Sequence, residues 1–150
     1  MQLLRTSNQD EQFVALTRQL DDELRQRYGE LQDLYTPHNR LDCIDTALLG
    51  VVEGQAVACG CFKWLDGQRA EVKRMFVHPQ WRRRGYSEQL LRALESWALE
   101  LGAQQLLLET GRRQPEAIAL YQKLGFTPID GYGPYVSLGN SLCMAKSLAE

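Results

Sequence analysis

The segment HPQWRRRGYSEQLL, residues 78–91, places three consecutive arginines before a glycine and a helical pattern. Where such a loop opens a helix, free backbone N–H groups and the positive end of the helix dipole both attract phosphate oxygens. Gly85 lets the backbone approach a ligand closely, and the guanidinium groups of Arg82, Arg83 and Arg84 can pair with phosphate. This chemistry predicts a site for a phosphorylated cofactor.

The same arginines are compatible with two other roles, a nucleic-acid contact and a solvated surface cluster. The 150-residue chain has 17 Lys and Arg against 19 Asp and Glu, so its net charge is −2. Nucleic-acid-binding domains usually carry a basic excess or a basic face. We therefore expect no nucleic-acid partner, while solvation stays open as the role of Arg83.

Apolar periodicity indicates the elements in the first half of the chain. A short strand covers residues 1–6, and after Asn8 a helix runs to about Tyr28. Residues 29–44 are irregular, and three strands follow, joined by short glycine turns at residues 53–54 and 66–67. Pro79 ends the third of these strands. The apolar stripe of the helix consists of Phe13, Leu16, Leu20 and Leu24.

The second half alternates helices and strands. A helix over about residues 85–101 ends at Gly102, a buried strand follows at 104–110, and Pro115 opens a helix that ends at Gly125. Two strands, 126–130 and 141–148, complete the pattern. The stripes of the two helices are Leu90, Leu94, Trp97, Ala98 and Leu101, and then Ala117, Leu120, Tyr121 and Leu124.

This order predicts a mixed α+β fold, in the broad α/β class. Several strands joined by short turns are antiparallel neighbours, whereas the strand–helix–strand units put helices on the faces of the sheet. We expect one domain over residues 1–150, with a mixed, mostly antiparallel sheet of about seven strands flanked by helices.

Two motifs resemble the GNAT superfamily of N-acetyltransferases. Arg82, Gly85 and Ser87 stand at the fixed positions of its acetyl-CoA motif, Gln/Arg-x-x-Gly-x-Gly/Ala, with Ser87 replacing the usual glycine or alanine. AIALYQKLGF, residues 117–126, is close to the family pattern A-x-x-L-Y-x-x-x-G-F, and Gln114 stands where the family often has asparagine. The order of elements also matches, so the resemblance covers nearly the whole chain.

The resemblance implies that acetyl-CoA is the co-substrate and that no metal is needed. The backbone of the arginine loop would hold the pyrophosphate, and the main chain of the preceding strand would pair with the pantetheine arm like an added strand. The cofactor-binding residues implied in this way are Met75, Phe76, Val77, Arg82, Arg83, Arg84, Gly85, Tyr86, Ser87, Gln114 and Tyr121.

The resemblance also implies two catalytic residues. An amine must be neutral to attack, although an alkylammonium has a pKa of about 10.4, and the departing thiolate needs a proton. Glu71 falls where histone acetyltransferases of the superfamily carry their base. Glu109 is the second candidate on a separate ground, because the C-terminal ends of strands often border ligand crevices in α/β sheets. Tyr121 is the candidate acid. Pairing of Glu71 with Lys73, and a purely structural Tyr121, stay open as alternatives.

Other residues carry weaker signals. His78 precedes Pro79 and could relay protons, although a strand-end role is favoured. Tyr35, His38, Tyr132 and Tyr135 lie in segments that could face the acceptor. The four cysteines lack the C-x₂-C spacing of zinc sites, and Cys59 and Cys61 are expected to pack on one face of a strand. No cysteine nucleophile is expected.

These observations predict an N-acetyltransferase that moves an acetyl group to a primary amine of a small molecule by direct attack in a ternary complex. Acetylation of a protein or peptide, and a non-catalytic acetyl-CoA-binding module, stay open as alternatives. No segment approaches the length of a membrane span, and reduced cysteines fit a cytoplasmic protein. A homodimer is an expectation by analogy with similar domains.

Overall fold

The structure, a computed structural model, describes residues 1–31, 43–137 and 139–148. Its strands and helices follow one another in the predicted order. In chain order they are β1 (Gln2–Thr6), α1 (Glu11–Tyr28), β2 (Ala47–Val52), β3 (Gln55–Trp64), β4 (Arg69–Val77), α2 (Tyr86–Glu100), β5 (Gln105–Gly111), α3 (Pro115–Lys123), β6 (Thr127–Ile129) and β7 (Ser141–Ser147). Short 3₁₀ turns cover Gly29–Leu31, Pro79–Trp81 and Gly133–Ser137.

The seven strands form one sheet in the order β1-β2-β3-β4-β5-β7-β6. All neighbours are antiparallel except β4 and β5, which run parallel. The predicted mixed, mostly antiparallel sheet is therefore confirmed. None of the helices in the described ranges is both long and apolar enough to cross a membrane.

Helices cover both faces of the sheet, and each face has its own core. On one face, α1 packs Phe13 and Leu16 against the sheet, together with Cys59 and Cys61 of β3. On the other face, α2 and α3 bury a larger cluster that includes Phe62, Leu90, Leu91, Leu94, Phe126 and Met144. The prediction that Cys59 and Cys61 share one strand face is confirmed.

Helix α1 begins shortly after Asn8, as predicted. Asp10 caps it, and its carboxylate accepts the N–H groups of Gln12 and Phe13, while the Asn8 carboxamide accepts the N–H of Ile44 at 2.9 Å. One detail of the prediction for α2 is wrong. Leu101 lies at the C-terminal cap of α2 and is 50% exposed. The core stripe therefore ends one turn earlier than its spacing predicts.

The sheet opens into a wedge between its two parallel strands. Within the described residues, β4 and β5 pair only over Arg69–Glu71 and Gln105–Leu107. Beyond that point β4 stays with β3 while β5 follows β7. A main-chain edge of β4 therefore faces the wedge, and Glu71 lies where the two strands part.

A bulge bends β4 inside this wedge. Cys59 pairs with Phe76 and Cys61 pairs with Lys73, so two residues of β4 lie opposite Gly60 alone. Arg74 takes a φ of 60° at this bulge. Bulges of this kind interrupt a ladder and redirect side chains, and this one separates the residues at the bottom of the wedge from those at its mouth.

Candidate active site

Two adjoining cavities lie in the wedge and share part of their lining, so we describe them as the two parts of one cleft. We call the outer cleft the part at the arginine loop, bordered by Glu23, Arg27 and Glu116, and the inner cleft the part lined by Glu71, Lys73, Glu109 and Tyr135. The residues that line both parts are Leu20, Leu24, Met75, Gln114 and Tyr121. A ligand arm can therefore run from the loop to the buried charges.

The arginine loop presents the start of α2 to the outer cleft. Gly85 caps this helix with a φ of 79° and contributes no side-chain cap. A Cβ on Gly85 would meet nothing within 4 Å, so the backbone angle, not crowding, favours glycine here. With the space above the loop open, the first N–H groups of α2 can donate hydrogen bonds to an anion.

The three arginines have three different environments. Arg82 donates from Nε to the Val77 carbonyl at 2.8 Å. Its two terminal nitrogens donate to the carboxylate of Glu23 on α1 at 3.0 and 2.5 Å. Arg84 stacks over the Trp81 ring at 4.9 Å. Arg83 is exposed, with a φ of 64°. Arg82 thus braces the loop against α1.

An ion-pair chain spans the mouth of the outer cleft. Glu23 lies between Arg82 and Arg27, at 2.5 and 3.5 Å, and Arg27 reaches Glu116 of α3 at 2.5 Å. These side chains keep between about a quarter and 60% of their surface exposed. The chain of charges ties α1 to the arginine loop and to α3.

At the inner end, Glu71 is almost fully buried, with 2% exposure. The Tyr132 hydroxyl donates to its Oε2 at 2.6 Å. Its Oε1 lies 3.5 Å from the Lys73 ammonium and 3.8 Å from that of Lys63. Both oxygens of this carboxylate are therefore engaged by the protein.

Lys73 is a buried cation beside it. Its side chain is 5% exposed, and its ammonium donates to the Tyr135 hydroxyl at 3.0 Å. Burial lowers the pKa of Lys73, which the nearby Glu71 carboxylate partly offsets. The 3₁₀ turn Gly133–Ser137 is thereby anchored on β4, with Tyr132 and Tyr135 packed edge to face at 5.4 Å.

Glu109 projects from β5 two residues beyond the last pair with β4. Burial raises the pKa of its carboxyl to about 7, an effect opposed by a hydrogen bond with Ser141 and by the charge of Lys73. The residue keeps partial exposure to the cleft. Glu109 therefore combines access to a ligand with a pKa near neutrality.

Tyr121 lies on α3, where the two parts of the cleft meet. It is 8% exposed, and its ring packs edge to face on Phe126 at 5.9 Å. Burial, with a smaller contribution from Glu109, raises the pKa of Tyr121 to about 12. Its hydroxyl therefore carries a proton at neutral pH.

The remaining predicted residues occupy different places. Met75, Phe76 and Val77 form the β4 segment beyond the bulge, and Met75 borders both parts of the cleft. Tyr86 and Ser87 open α2 at the outer cleft. Gln114 caps α3 and hydrogen-bonds with the Tyr28 hydroxyl.

Among the weaker candidates, His78, Cys59 and Cys61 each have a structural explanation in the fold. The His78 side chain accepts the N–H of Gln80 at 3.2 Å and caps a 3₁₀ turn. Burial raises the pKa of Cys61 to about 12 and raises that of Cys59 further, which suits thiols that pack rather than react. Tyr35 and His38 lie outside the described residues. In the described ranges, no group of three or more His, Cys, Asp or Glu side chains could hold a metal ion.

Two features of the site escaped the sequence analysis. The sequence predicts Lys73 only as a partner of Glu71, and the alternation of side chains along a strand, which places both on one face, is the signal for its place in the cleft. Tyr28 also lines the cleft, and a Cβ on Gly111 would lie 1.8 Å from its hydroxyl. A glycine at the end of a buried strand was the available signal for that close approach.

The family model for the acetyltransferase (GNAT) family matches residues 7–126, most of the chain. The chain belongs to this family. The predicted superfamily, its fold and an N-acetyltransferase activity are thereby confirmed.

Individual relatives agree with this assignment. The acetyltransferase is 36% identical to an IAA acetyltransferase of Azospirillum brasilense, with 97% of each chain aligned. It is 32% identical to a structure from Klebsiella pneumoniae described as an acyl-CoA N-acyltransferase, with a TM-score of 0.81 over 98% of this chain and 97% of that one. The PaiA N-acetyltransferase of Thermoplasma acidophilum, solved with coenzyme A, shares the fold at 17% identity and a TM-score of 0.69, over 97% and 98% of the chains.

Proposed function

We propose that this domain, residues 1–150, transfers an acetyl group from acetyl-CoA to a primary amine of a small molecule by direct attack in a ternary complex. One observation carries the proposal: a single cleft joins an open helix N-terminus at the arginine loop to a buried tyrosine and two carboxylates. Its inner end is a cavity of about 100 Å³ that Tyr135 of the 3₁₀ turn Gly133–Ser137 helps to line, and this small volume favours a small acceptor over a protein.

The outer cleft fits the nucleotide end of acetyl-CoA. The backbone around residues 82–87 would hold the pyrophosphate through the N–H groups at the start of α2. The β4 edge at Met75–Val77 has no strand partner on the wedge side within the described residues, so it can pair with an extended pantetheine arm. The coenzyme A bound to the Thermoplasma neighbour supports this assignment.

Two carboxylates compete for the role of base. Glu71, which the resemblance favours, already has both oxygens engaged by Tyr132, Lys73 and Lys63. An acceptor ammonium would have to displace one of these partners. Glu109 faces the cleft with a pKa of about 7, close to the operating pH that suits a general base. We assign the base to Glu109, with Glu71 holding Lys73 and the tyrosine turn in place.

Tyr121 supplies the acid. Its phenol stays protonated at neutral pH because its pKa is about 12, and it lies between the two parts of the cleft, where the thioester end of the arm would arrive. Donation from Tyr121 to the departing thiolate and uptake of the amine proton by Glu109 then balance the reaction.

The first test is calorimetric titration with acetyl-CoA. Gly85→Asp should abolish binding, because it adds negative charge and strain at the arginine loop. Gly54→Asp is a matched control: Gly54 also has a positive φ, 80°, and open space around it, but lies in the β2–β3 turn. Equal binding by both variants, or no binding by the folded wild type, would refute the proposed cofactor site.

Matched glutamine variants separate the two bases. Glu109→Gln should lower turnover by about 10²- to 10³-fold at neutral pH and remove the rise of kcat/KM near pH 7. Glu71→Gln should keep that rise, even if turnover falls. Loss of that rise in Glu71→Gln, together with its retention in Glu109→Gln, would instead identify Glu71 as the base.

The two alternatives have distinct signatures. Tight acetyl-CoA binding without turnover across a broad panel of amines would identify a non-catalytic binding module. Acetylated proteins or peptides, combined with inactivity toward small amines, would identify a macromolecular acceptor.

A further inference from the structure

The side chain of Lys73 places an amine inside the cleft in which the proposed acetylation of amines takes place. The sequence has four lysines, and the side chains of the other three are 40% exposed at Lys63, 66% at Lys123 and 24% at Lys146. Lys73, at 5%, alone among the four lines the inner cleft. Lysine is rarely buried unless it is paired, and Lys73 meets that condition through Glu71 and Tyr135.

The position of Lys73 along β4 brings it close to the reaction. It lies two residues beyond Glu71, where the wedge opens, and two before Met75, which begins the segment proposed to hold the pantetheine arm. Its strand partner is Cys61, whose side chain belongs to the core on the α1 side. Lys73 therefore projects toward α1 from the level of the wedge at which an acetyl group would be delivered.

The surroundings of Lys73 provide the groups that an attacking amine needs. Its Nζ donates to the Tyr135 hydroxyl at 3.0 Å and lies 3.5 Å from Glu71 Oε1. The Glu109 carboxyl and Tyr121 line the same inner cleft. Burial lowers the pKa of Lys73, which increases the share of neutral, nucleophilic amine.

From this placement we propose that Lys73 is itself an acetyl acceptor, a self-modification site used when no acceptor amine fills the inner cleft. The inference rests on the proposed function. The neutral Nζ forms an amide bond with the acetyl carbon, and the bond from that carbon to the coenzyme A sulfur breaks. The proton lost by the nitrogen passes to Glu109, and Tyr121 donates a proton to the departing thiolate.

Self-acetylation in the cleft would modify a different lysine from the ones that non-enzymatic acetylation modifies first. Acetylation without enzyme catalysis attacks exposed lysines first, so it would favour Lys123 and Lys63 over a side chain that is 5% exposed. Acetylation within the cleft reverses this order. It also competes with a bound acceptor, because both would occupy the inner cleft.

The test incubates the full chain with acetyl-CoA and no added amine, then measures intact mass and maps modified peptides. We expect one acetyl group per chain, located on Lys73, and a loss of more than about tenfold in its rate in the Gly85→Asp variant. Lys73→Arg should remove the modification, whereas the matched Lys63→Arg should retain it. Urea-unfolded protein, as a reference, should instead be modified without preference for residue 73.

The outcomes separate this inference from the proposed function. Wild-type protein that acetylates small amines but leaves Lys73 unmodified overturns the inference alone. Modification that is confined to exposed lysines, or that is unchanged in Gly85→Asp, overturns it as well. Absence of acetyl-CoA binding by the folded protein instead overturns the proposed function, on which the inference depends. Peptide mapping of the wild type decides the matter even if Lys73→Arg fails to fold.

Discussion

Charged side chains lie at both ends of the cleft, but those at the outer end contact solvent and those at the inner end are buried. At the outer end, Arg82, Glu23 and Arg27 form ion pairs in partial contact with solvent. At the inner end, Glu71 and Lys73 are nearly inaccessible, with side chains 3% and 5% exposed. Water screens the first group, and the low-dielectric interior strengthens every interaction in the second.

This difference suits the two ends to different tasks. Exposed ion pairs contribute little net free energy, so an arginine can exchange a carboxylate for a phosphate at low cost. Buried charges shift pKa values and fix proton positions. The outer cleft is thus suited to capturing a ligand, and the inner cleft to moving protons on it.

The largest expected effect comes from removing the proposed proton donor, Tyr121. Tyr121→Phe should lower turnover by about 10²- to 10³-fold, because it removes the hydroxyl that we propose as the donor to the thiolate. The ring and its packing on Phe126 remain, so the Kd for acetyl-CoA should change by less than about twofold. Steady-state kinetics and calorimetry measure the two quantities.

The matched control for this variant is Tyr28→Phe. Tyr28 lines the same inner cleft, but its hydroxyl accepts the N–H of Arg113 at 3.2 Å. Its removal should cost stability more than turnover. Equal losses of turnover in both variants would mean that Tyr121 only shapes the cleft.

The next effect is on stability and comes from Glu109. Its pKa is about 7 in the folded state against an ordinary 4.5, so between these values the folded chain keeps a proton that the unfolded chain releases. The contribution of Glu109 to the free energy of unfolding is therefore fully present below about pH 4.5. It decreases by about 3 kcal/mol as the pH rises to about 7. Glu109→Gln, which stays neutral, should lack this decrease.

Urea unfolding at pH 5 and pH 8, for wild type and Glu109→Gln, measures this contribution. The difference between the two proteins cancels the titration of carboxylates elsewhere on the chain, such as Asp66 and Glu88, whose pKa values hydrogen bonds lower. A wild type that loses no more stability than the variant would contradict the buried, proton-retaining state of Glu109.

A third prediction concerns the coupling between the inner charges. The positive charge of Lys73 lowers the pKa of Glu109, so Lys73→Met should move the rise of kcat/KM about one unit toward higher pH. Lys63→Met is the control, because Lys63 is 40% exposed and contacts Glu71 instead. An unshifted profile in Lys73→Met would show that Lys73 carries no charge in the active pH range.

The fold was largely predictable because most of its determinants are local. Apolar periodicity and glycine turns defined all ten elements in order, and the error was at the C-terminal end of α2, where Leu101 is exposed. Asp10 caps α1, while the nearby Asn8 accepts the N–H of Ile44, 36 residues away. That contact, unlike a capping preference, has no signature in the neighbouring sequence.

The residues of the site also divide into those that the local sequence predicts and those that it does not. The arginine loop and Tyr121 lie in contiguous motifs, so the sequence indicated both. The inner cluster depends on Tyr132 bonding to Glu71 across 61 residues, and on where β4 parts from β5. Neither is encoded by spacing along the chain, so the engagement of Glu71 and the exposure of Glu109 to the cleft emerged only from the folded structure.

The smallest expected effect lies at the outer end. Glu23→Gln should change the free energy of unfolding by less than about 1 kcal/mol, since the Arg82–Glu23 pair is 37% and 25% exposed. Acetyl-CoA should nevertheless bind about two- to fivefold more tightly at low salt, because Arg82 no longer has to leave a carboxylate to meet a phosphate. Glu116→Gln, which removes a carboxylate bound to Arg27 rather than to Arg82, controls for net charge. Weaker binding in Glu23→Gln alone would mean that the ion pair holds the loop in its binding shape, and the outer cleft would then be as preorganised as the inner one.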